Sequence, residues 1–281
     1  MILVLYNPMA ARGRGRELAE KSPFVMQNAA QCRLMDITKG NALGELQALS
    51  ADDRAIVAGG DGTLNCFINE LSGAQVSCQL YLMPVGSGND FVNDTRALDE
   101  NGLVPLNAYI RNLPRIVCGG IERRFINGAG LGLDGYCCES VNEKKERGKR
   151  ASYTLAALKG LLYAFKPANA VVTVDGVARR FTDVWLVPVM KGRYFGGGFQ
   201  IAPMQDRNDP QGRLSVMVAH GLGRLSAASM LLKAKRGEHT GLTQYVHFFS
   251  GTRIRVEFDA PCALQIDGET VKNVRCFEAL A

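Results

Sequence analysis

The chain has 281 residues, 47% of them hydrophobic and 21% charged, with 33 basic against 27 acidic side chains and a formal net charge of +6. This is the composition of an ordinary soluble globular protein with chain enough for one large domain or two modest ones, and no apolar run approaches the length that crosses a bilayer. Eight cysteines lie scattered without a Cys-X-X-Cys pair, and His220, His239 and His247 keep no metal-ligand spacing with them. They read as reduced thiols of a cytoplasmic protein, used mostly as small core residues. The positive balance suits ATP, an acidic substrate or an anionic membrane surface, and a solvated basic face equally well.

Ile2 to Tyr6 reads as a short apolar first strand, stopping at Asn7-Pro8 and lacking the basic leader of a signal peptide. The loop that follows carries Arg12, Arg14 and Arg16. Arg12 could grip triphosphate oxygens, while Arg14 and Arg16 fit a basic, solvated helix start better. A strand at about Cys32 to Ile37 and a helix through Leu43 to Leu49 come next. Ile56 to Ala58 then ends a buried strand, and Gly59-Gly60-Asp61-Gly62-Thr63 follows it. Leu64, Phe67, Ile68 and Leu71 fall at i, i+3, i+4 and i+7, one face of a helix. Glycines at such a junction let backbone N–H groups approach a phosphate, and Thr63 can cap a helix whose positive end faces the anion. Asp61 cannot bind phosphate itself, so its partner is a cation that the phosphate shares, with Mg²⁺ the obvious choice. A tight turn that only solves backbone geometry is the plainer alternative.

The strand Gln79 to Met83 delivers a second such motif, Pro84-Val85-Gly86-Ser87-Gly88-Asn89-Asp90-Phe91. Gly86 and Gly88 permit close approach and Ser87 can donate to phosphate. Asp90 either joins Asp61 near the metal or, with Asn89, caps the next helix. Strands alternating with helices imply a parallel sheet with ligands outside the carboxyl ends of its strands.

After Pro114 the pattern changes. Phe125-Ile126-Asn127-Gly128-Ala129-Gly130-Leu131-Gly132-Leu133-Asp134-Gly135 is glycine-rich, with bulges expected where a sheet bends or closes. Glu143 to Arg150 is a charge run on a solvated face. Tyr153 to Phe165 is helix-like, with Leu155, Leu158 and Leu162 on one side. Beyond Pro167 the chain reads all-β, with an Asp175-Gly176 hairpin turn, strands at Val184 to Val189, Leu214 to Ala219 and Arg253 to Phe258, and a closing hairpin at Asp267-Gly268. Tyr194 to Phe199 reads as a lid, an acyl-chain contact or a bulged edge. Leu225 to Arg236 is helical, with a basic end that suits a helix C-terminus or anionic lipid.

Gly-Gly-Asp-Gly-Thr-Leu-Asn followed by Pro-X-Gly-Ser-Gly-Asn-Asp-Phe resembles the catalytic domain of diacylglycerol kinases and their sphingosine and ceramide kinase relatives. The resemblance extends to Asn7-Pro8, to Thr38 after the second strand and to the Asn127 to Asp134 segment. Cys66 stands where a Glu is common, and Ala11 where a glycine is expected. NAD kinases share the first motif and lack the second. The resemblance implies two domains: a nucleotide-binding α/β domain at 1–114, NAD kinase/diacylglycerol kinase-like with a parallel sheet, and a β-sandwich-like lipid-substrate domain at 115–281, whose last residues return to the first.

It also implies an ATP-dependent lipid kinase that transfers the γ-phosphoryl of MgATP to a lipid hydroxyl, with diacylglycerol yielding phosphatidic acid as the leading case. The backbone of Gly59, Gly60, Gly62 and Gly88, with Thr63, Ser87 and Asn89, would hold phosphates, while Asn7, Pro8 and Thr38 line the nucleotide pocket and Arg12 offsets charge. Asp61, Asp90 and Asp267 would organise Mg²⁺ directly or through water, and Glu269 would take the hydroxyl proton. Lys159 matches a basic position linked to phosphate or substrate; a plain surface lysine is an equal alternative. A structural Mg²⁺ near Asp209 is placed in doubt by Gln211, where the family has an aspartate. The expected setting is cytoplasmic and peripheral to the membrane, with a membrane lipid as partner, no nucleic acid, and a homodimer as the default assembly. Alternatives are phosphorylation of sphingosine, phosphatidylglycerol, NAD or another alcohol, or a nucleotide-binding regulator without turnover.

Overall fold

The computed structural model describes residues 1–86, 88–147 and 153–281, in two compact units, Met1–Leu113 and Pro114–Ala281. The first is an α/β unit. Its strands β1 (Ile2–Tyr6), β2 (Cys32–Asp36), β3 (Arg54–Gly59), β4 (Gln79–Pro84) and β5 (Val104–Pro105) form one sheet in the order β2-β1-β3-β4-β5, parallel except for β5. Leu3 to Leu5 and Ala55 to Ala58 are wholly buried. Such unbroken apolar runs are what a parallel strand needs when both faces of its sheet are covered. The register pairs Ala58 with Met83 and Gly59 with Pro84, so the two glycine loops leave the sheet at the same level. The helix Asp61–Leu71 buries Leu64, Phe67, Ile68 and Leu71, the predicted stripe, and ends on left-handed Ser72 and Gly73.

The second unit is β-rich. Its strands are β6 (Arg115–Cys118), β7 (Ile121–Arg124), β8 (Gly128–Gly132), β9 (Ala168–Val174), β10 (Val177–Met190), β11 (Leu214–His220), β12 (Val246–Gly251), β13 (Arg253–Ile266) and β14 (Glu269–Leu280). The main path runs β12-β11-β10-β8-β13-β14-β6-β7. The long strands β10 and β13 are bridged twice, by β8 along one half and by β9 along the other. Register shifts at Phe181/Val184 and Glu257/Cys262 bend both strands between those halves, so the sheet turns over onto its own core. The end of β14, Glu278 to Leu280, pairs with β6 in this same unit.

The glycines of Asn127 to Gly135 serve close packing more than bulging. A Cβ on Gly130 would fall 2.8 Å from the Pro188 Cα, and one on Gly135 only 1.8 Å from the Ala263 carbonyl oxygen. This lets the helix Leu133–Glu146 lie against β13. The helix-like stretch is a helix, Tyr153–Lys159, followed by a π turn, Gly160–Ala164. Among its described side chains and glycines Ala156, Gly160, Leu161 and Phe165 are buried, whereas Leu155 and Leu162 face solvent; the Leu158 side chain lies outside the described residues. Tyr194 to Phe199 closes on itself through paired Phe195 and Phe199 backbones, and both rings pack on the neighbouring core. Of the charge run, residues 148–150 lie outside the described residues; within it, Glu143 pairs with Lys272 at 2.7 Å.

Candidate active site

In the first unit the site grows from two loops pressed together. Gly59 is fixed by Thr63, whose Cβ would lie 2.3 Å from a Cβ at that position. A Cβ on Gly86 would lie 2.6 Å from the Gly60 Cα, so no side chain fits between the loops after β3 and β4. The Val85 N–H donates to the Gly59 carbonyl at 3.0 Å and fastens them. Gly62 is different: a Cβ there meets nothing within 4 Å. It sits in the first turn of an 11-residue helix whose N-cap, Gly60, supplies no side-chain hydrogen bond. Glycine costs a helix about 1 kcal/mol relative to alanine, and nothing in the packing around Gly62 asks for it. An uncapped helix N-terminus with an unfilled approach is the geometry that receives phosphate oxygens. A second sign lies in the adjoining loop. Asn89 has a left-handed backbone at φ 51°, and its buried Oδ1 has no hydrogen-bond partner among the described residues.

Other expected residues form the frame. The buried Thr63 hydroxyl accepts from Asn7 Nδ2 at 3.1 Å, and Asn7 Oδ1 accepts from the Met9 N–H at 2.9 Å. Pro8 is half-buried beside them, and Arg12 is exposed. Ala11 and Arg12 are both left-handed, at φ 50° and 63°. The Ala11 position is the one where the family pattern places glycine, and an alanine there carries a backbone cost of about 1–2 kcal/mol. Thr38 is exposed and donates both its N–H and its hydroxyl to Asp36 Oδ1, at 2.9 and 2.7 Å, which holds the Asp36 carboxyl below its ordinary range. The Gly88 carbonyl accepts from Asn93 Nδ2 at 3.3 Å, and Ser87 lies outside the described residues.

Asp61 reaches across to the second motif. Its Oδ2 accepts from the Asp90 N–H and its Oδ1 from the Phe91 N–H, both at 3.0 Å. It therefore caps the helix Asp90–Thr95, which its own Asn89 does not cap. Asp90 is 5% exposed. In the second unit Asp267 has a similar task. Asp267 and Gly268, at φ 46° and 94°, make a two-residue turn between Ile266 and Glu269. The Asp267 carboxylate accepts the N–H groups of Ile126, Asn127 and Gly128 at 2.6, 2.9 and 2.9 Å. Glu269 opens β14 in an exposed position, and Lys159 is exposed at the end of its helix.

These contacts bear on what the sites can hold. The glycine loops fit nucleotide phosphates. Asp61 and Asp267 already bind backbone amides with both oxygens, which leaves a cation to be met through remaining lone pairs or water. Among the described residues no group of three or more His, Cys, Asp or Glu side chains is arranged for a metal ion. Near Asp209 the donors do not fit one. The Asp209 carboxylate accepts from Arg213 Nε and Nη2 at 3.0 and 2.8 Å and from the Gln211 N–H at 2.8 Å. That guanidinium, first of all, holds the Asp209 carboxyl below its ordinary range. EDTA is accordingly expected to leave the melting temperature of the ligand-free protein unchanged, as scanning calorimetry would read; a clear drop would reveal a resident structural cation.

A polar chain under the Asp267–Gly268 turn escaped sequence reasoning. The Gly268 N–H donates to Gln265 Oε1 at 3.1 Å, Gln265 Nε2 lies 3.4 Å from Asp134 Oδ2, and Asn142 Nδ2 donates to the Gly268 carbonyl at 3.1 Å. Asp134 and Gln265 are 6% and 1% exposed. Burial pushes the Asp134 carboxyl up to about 6, and its Oδ1 has no hydrogen-bond partner among the described residues. Arg207 adds a bond from Nη2 to the buried Asn127 Oδ1 at 2.9 Å. The available signals were slight: a carboxylate directly after Gly-X-Gly-X-Gly-Leu, and one glutamine in the apolar run Ala263 to Ile266.

Paired glycine loops on a parallel sheet, followed by a β-rich unit, define a phosphate-handling α/β protein with an appended β domain. Residues 1–115 match the diacylglycerol kinase catalytic domain, and residues 128–277 the YegS C-terminal NAD kinase beta sandwich-like domain. The chain belongs to the diacylglycerol kinase-type family of lipid kinases, which are phosphotransferases. It is 27% identical over 277 residues to the diacylglycerol kinase of Bacillus subtilis strain 168, covering 95% of this chain and 88% of that one. It shares its fold with the crystal structure of a diacylglycerol kinase from Bacillus anthracis, with a TM-score of 0.67 at 22% identity over 99% of this chain and 93% of the other.

Proposed function

We propose that this protein transfers the γ-phosphoryl group of MgATP to the hydroxyl of a membrane lipid, with diacylglycerol the leading acceptor and phosphatidic acid the product. The observation that carries the reading is the open approach at Gly62, at an uncapped helix N-terminus beside the Gly60–Gly86 contact. The acceptor is suggested by the relatives' names. The backbone N–H groups at Gly60 to Thr63 would orient phosphate oxygens, and the basic loop at Arg12 would offset their charge. Asp61 would hold the second loop in register through its bonds to Asp90 and Phe91. Mg²⁺, when bound with the nucleotide, supplies charge neutralisation at the phosphates, and Asp61, Asp90 and Asp267 are the carboxylates that would meet it. Glu269 would accept the proton of the attacking hydroxyl. Phosphoryl transfer of this kind is mostly positioning and electrostatics.

The test is transfer from labelled ATP into mixed micelles holding diacylglycerol, sphingosine, ceramide or phosphatidylglycerol separately, with NAD as a soluble control. Label in diacylglycerol is the expected result. Label in NAD alone, or ATP bound without transfer to any acceptor, would overturn the lipid-kinase reading. Glu269→Gln is expected to lower turnover by about 10²–10⁴-fold while leaving ATP affinity within about twofold, read by single-turnover assay and calorimetry. Wild-type turnover in that variant would remove Glu269 from the proton's path.

A further inference from the structure

Ile126 and Asn127, both buried, are gripped from three sides. Their N–H groups, with that of Gly128, hold the Asp267 carboxylate. The Asn127 carbonyl accepts from the N–H groups of Lys191 and Gly192, at 2.9 and 3.0 Å, just past the end of β10. On the third side stands Arg207. Its Nη1 donates to the Ile126 carbonyl and its Nη2 to Asn127 Oδ1 at 2.9 Å. One planar guanidinium thus meets oxygens of two consecutive residues, a grip that a lysine ammonium, a single point of charge, does not reproduce.

Arg207 belongs to a loop that braces itself. The buried Gln205 donates from Nε2 to the Asp206 and Arg213 carbonyls, both at 3.0 Å. The Asp209 N–H donates to the Asp206 carbonyl at 3.2 Å and the Gly212 N–H to the Asp209 carbonyl at 2.8 Å. The family pattern implies a structural Mg²⁺ beside Asp209, and the donors there do not fit one. The positive charge at this place belongs to the chain itself. Arg213 neutralises the Asp209 carboxylate, and Arg207 fastens the loop to Ile126 and Asn127.

The clasp bears on Glu269. Gln265 and Asn142 hold the two polar ends of Gly268, so the seat of Asp267 on the Ile126 to Gly128 amides fixes how the turn lies and where β14 begins. We infer that Arg207 is a positioning residue for Glu269, acting through Ile126, Asn127 and the Asp267 turn, and that it does so without a metal ion. The inference deepens the reading of Glu269 as proton acceptor and rests on it; the seating of Asp267 rests on the hydrogen bonds alone.

The experiment joins kinetics to hydrogen exchange on the full chain. Arg207→Ala is expected to lower kcat about a hundredfold, as a base displaced by ~1 Å does, with KM for MgATP within about twofold of wild type. Millimolar guanidinium should restore kcat at least about tenfold in Arg207→Ala and leave Glu269→Gln unchanged, and Arg207→Lys should fall between Arg207→Ala and wild type. Wild-type kcat in Arg207→Ala, or a loss that guanidinium leaves untouched, would overturn the inference. The amide protons of Ile126, Asn127 and Gly128 give a readout that needs no turnover. In nucleotide-free protein their exchange should quicken at least about tenfold in Arg207→Ala, slow again with guanidinium, and ignore EDTA in wild type. Unchanged exchange in the variant, or exchange that EDTA quickens in wild type, removes Arg207 from this role. The two failures separate cleanly. Wild type that transfers to no acceptor while exchange responds as stated sinks the kinase reading alone, and active wild type with indifferent Arg207 variants sinks the positioning role alone.

Discussion

Gly62→Ala is expected to make the first unit more stable and the protein inactive. Stabilisation follows from the helix. Gly62 lies in the first turn of Asp61–Leu71 in a backbone conformation open to any residue, and an added methyl group meets no atom within 4 Å. Alanine restrains the unfolded chain and favours the helix, for a gain of about 0.5–1 kcal/mol and a rise of about 2–4 °C in melting temperature. Loss of activity follows from the same open space, which the methyl would fill where a phosphate oxygen has to come. Displacing the phosphates by even ~1 Å costs about a hundredfold in rate. The neighbouring glycines supply the contrast. Gly86→Ala collides with the Gly60 backbone and should lose stability and activity together. Calorimetry with a transfer assay on both variants checks the pair, and a Gly62→Ala protein that is more stable and fully active would show that no ligand uses that approach.

The second large effect is expected at Asp134 and depends on pH. Its carboxyl is raised from an ordinary 3.8 to about 6 by burial. The folded protein therefore keeps this proton to higher pH than the unfolded chain does. Below pH 4 the group is protonated in both states and costs nothing. Between about pH 4 and 6 the unfolded state ionises first and stability falls; above 6 the loss is complete, at about 3 kcal/mol for roughly two pK units. Asp134→Asn has no such titration. Its stability relative to wild type should rise by about 3 kcal/mol from pH 4 to pH 7.5 in denaturant unfolding, and a difference constant with pH would refute the assignment. A carboxylate kept at that cost beneath the Asp267–Gly268 turn makes Asp134 a candidate functional position, and a transfer assay on the Asn variant tests it, with loss of turnover the expected result.

The first unit was legible in detail because its signals are local. Continuous apolar strands, the stripe from Leu64 to Leu71 and two glycine motifs at strand ends each declare themselves within a dozen residues. The Asp175-Gly176 and Asp267-Gly268 hairpins were equally plain, since their turn type demands positive φ at both residues. What the sequence concealed is the work done by carboxylates on distant amides. Asp61 bonds to backbone 29 and 30 residues away, and Asp267 to backbone about 140 residues away. A motif shows that an aspartate is present, and only the fold shows which donors already occupy its oxygens. Leu155 and Leu162 share exposure, as one side of a helix allows, and their spacing alone does not say whether that side is covered.

The place of β14 in the sheet has a consequence for synthesis. This strand lies between β13 and the β6–β7 hairpin, made some 150 residues earlier. The first unit has all its strands within residues 2–105 and can close while the second is still being made. The second cannot. Until β14 emerges, β6 and β13 each present an unpaired edge, the state most exposed to wrong pairing with another chain. A nascent chain stalled before β14 would thus hold one finished domain and one open sheet, and disruption of β14 should harm solubility far more than its length suggests.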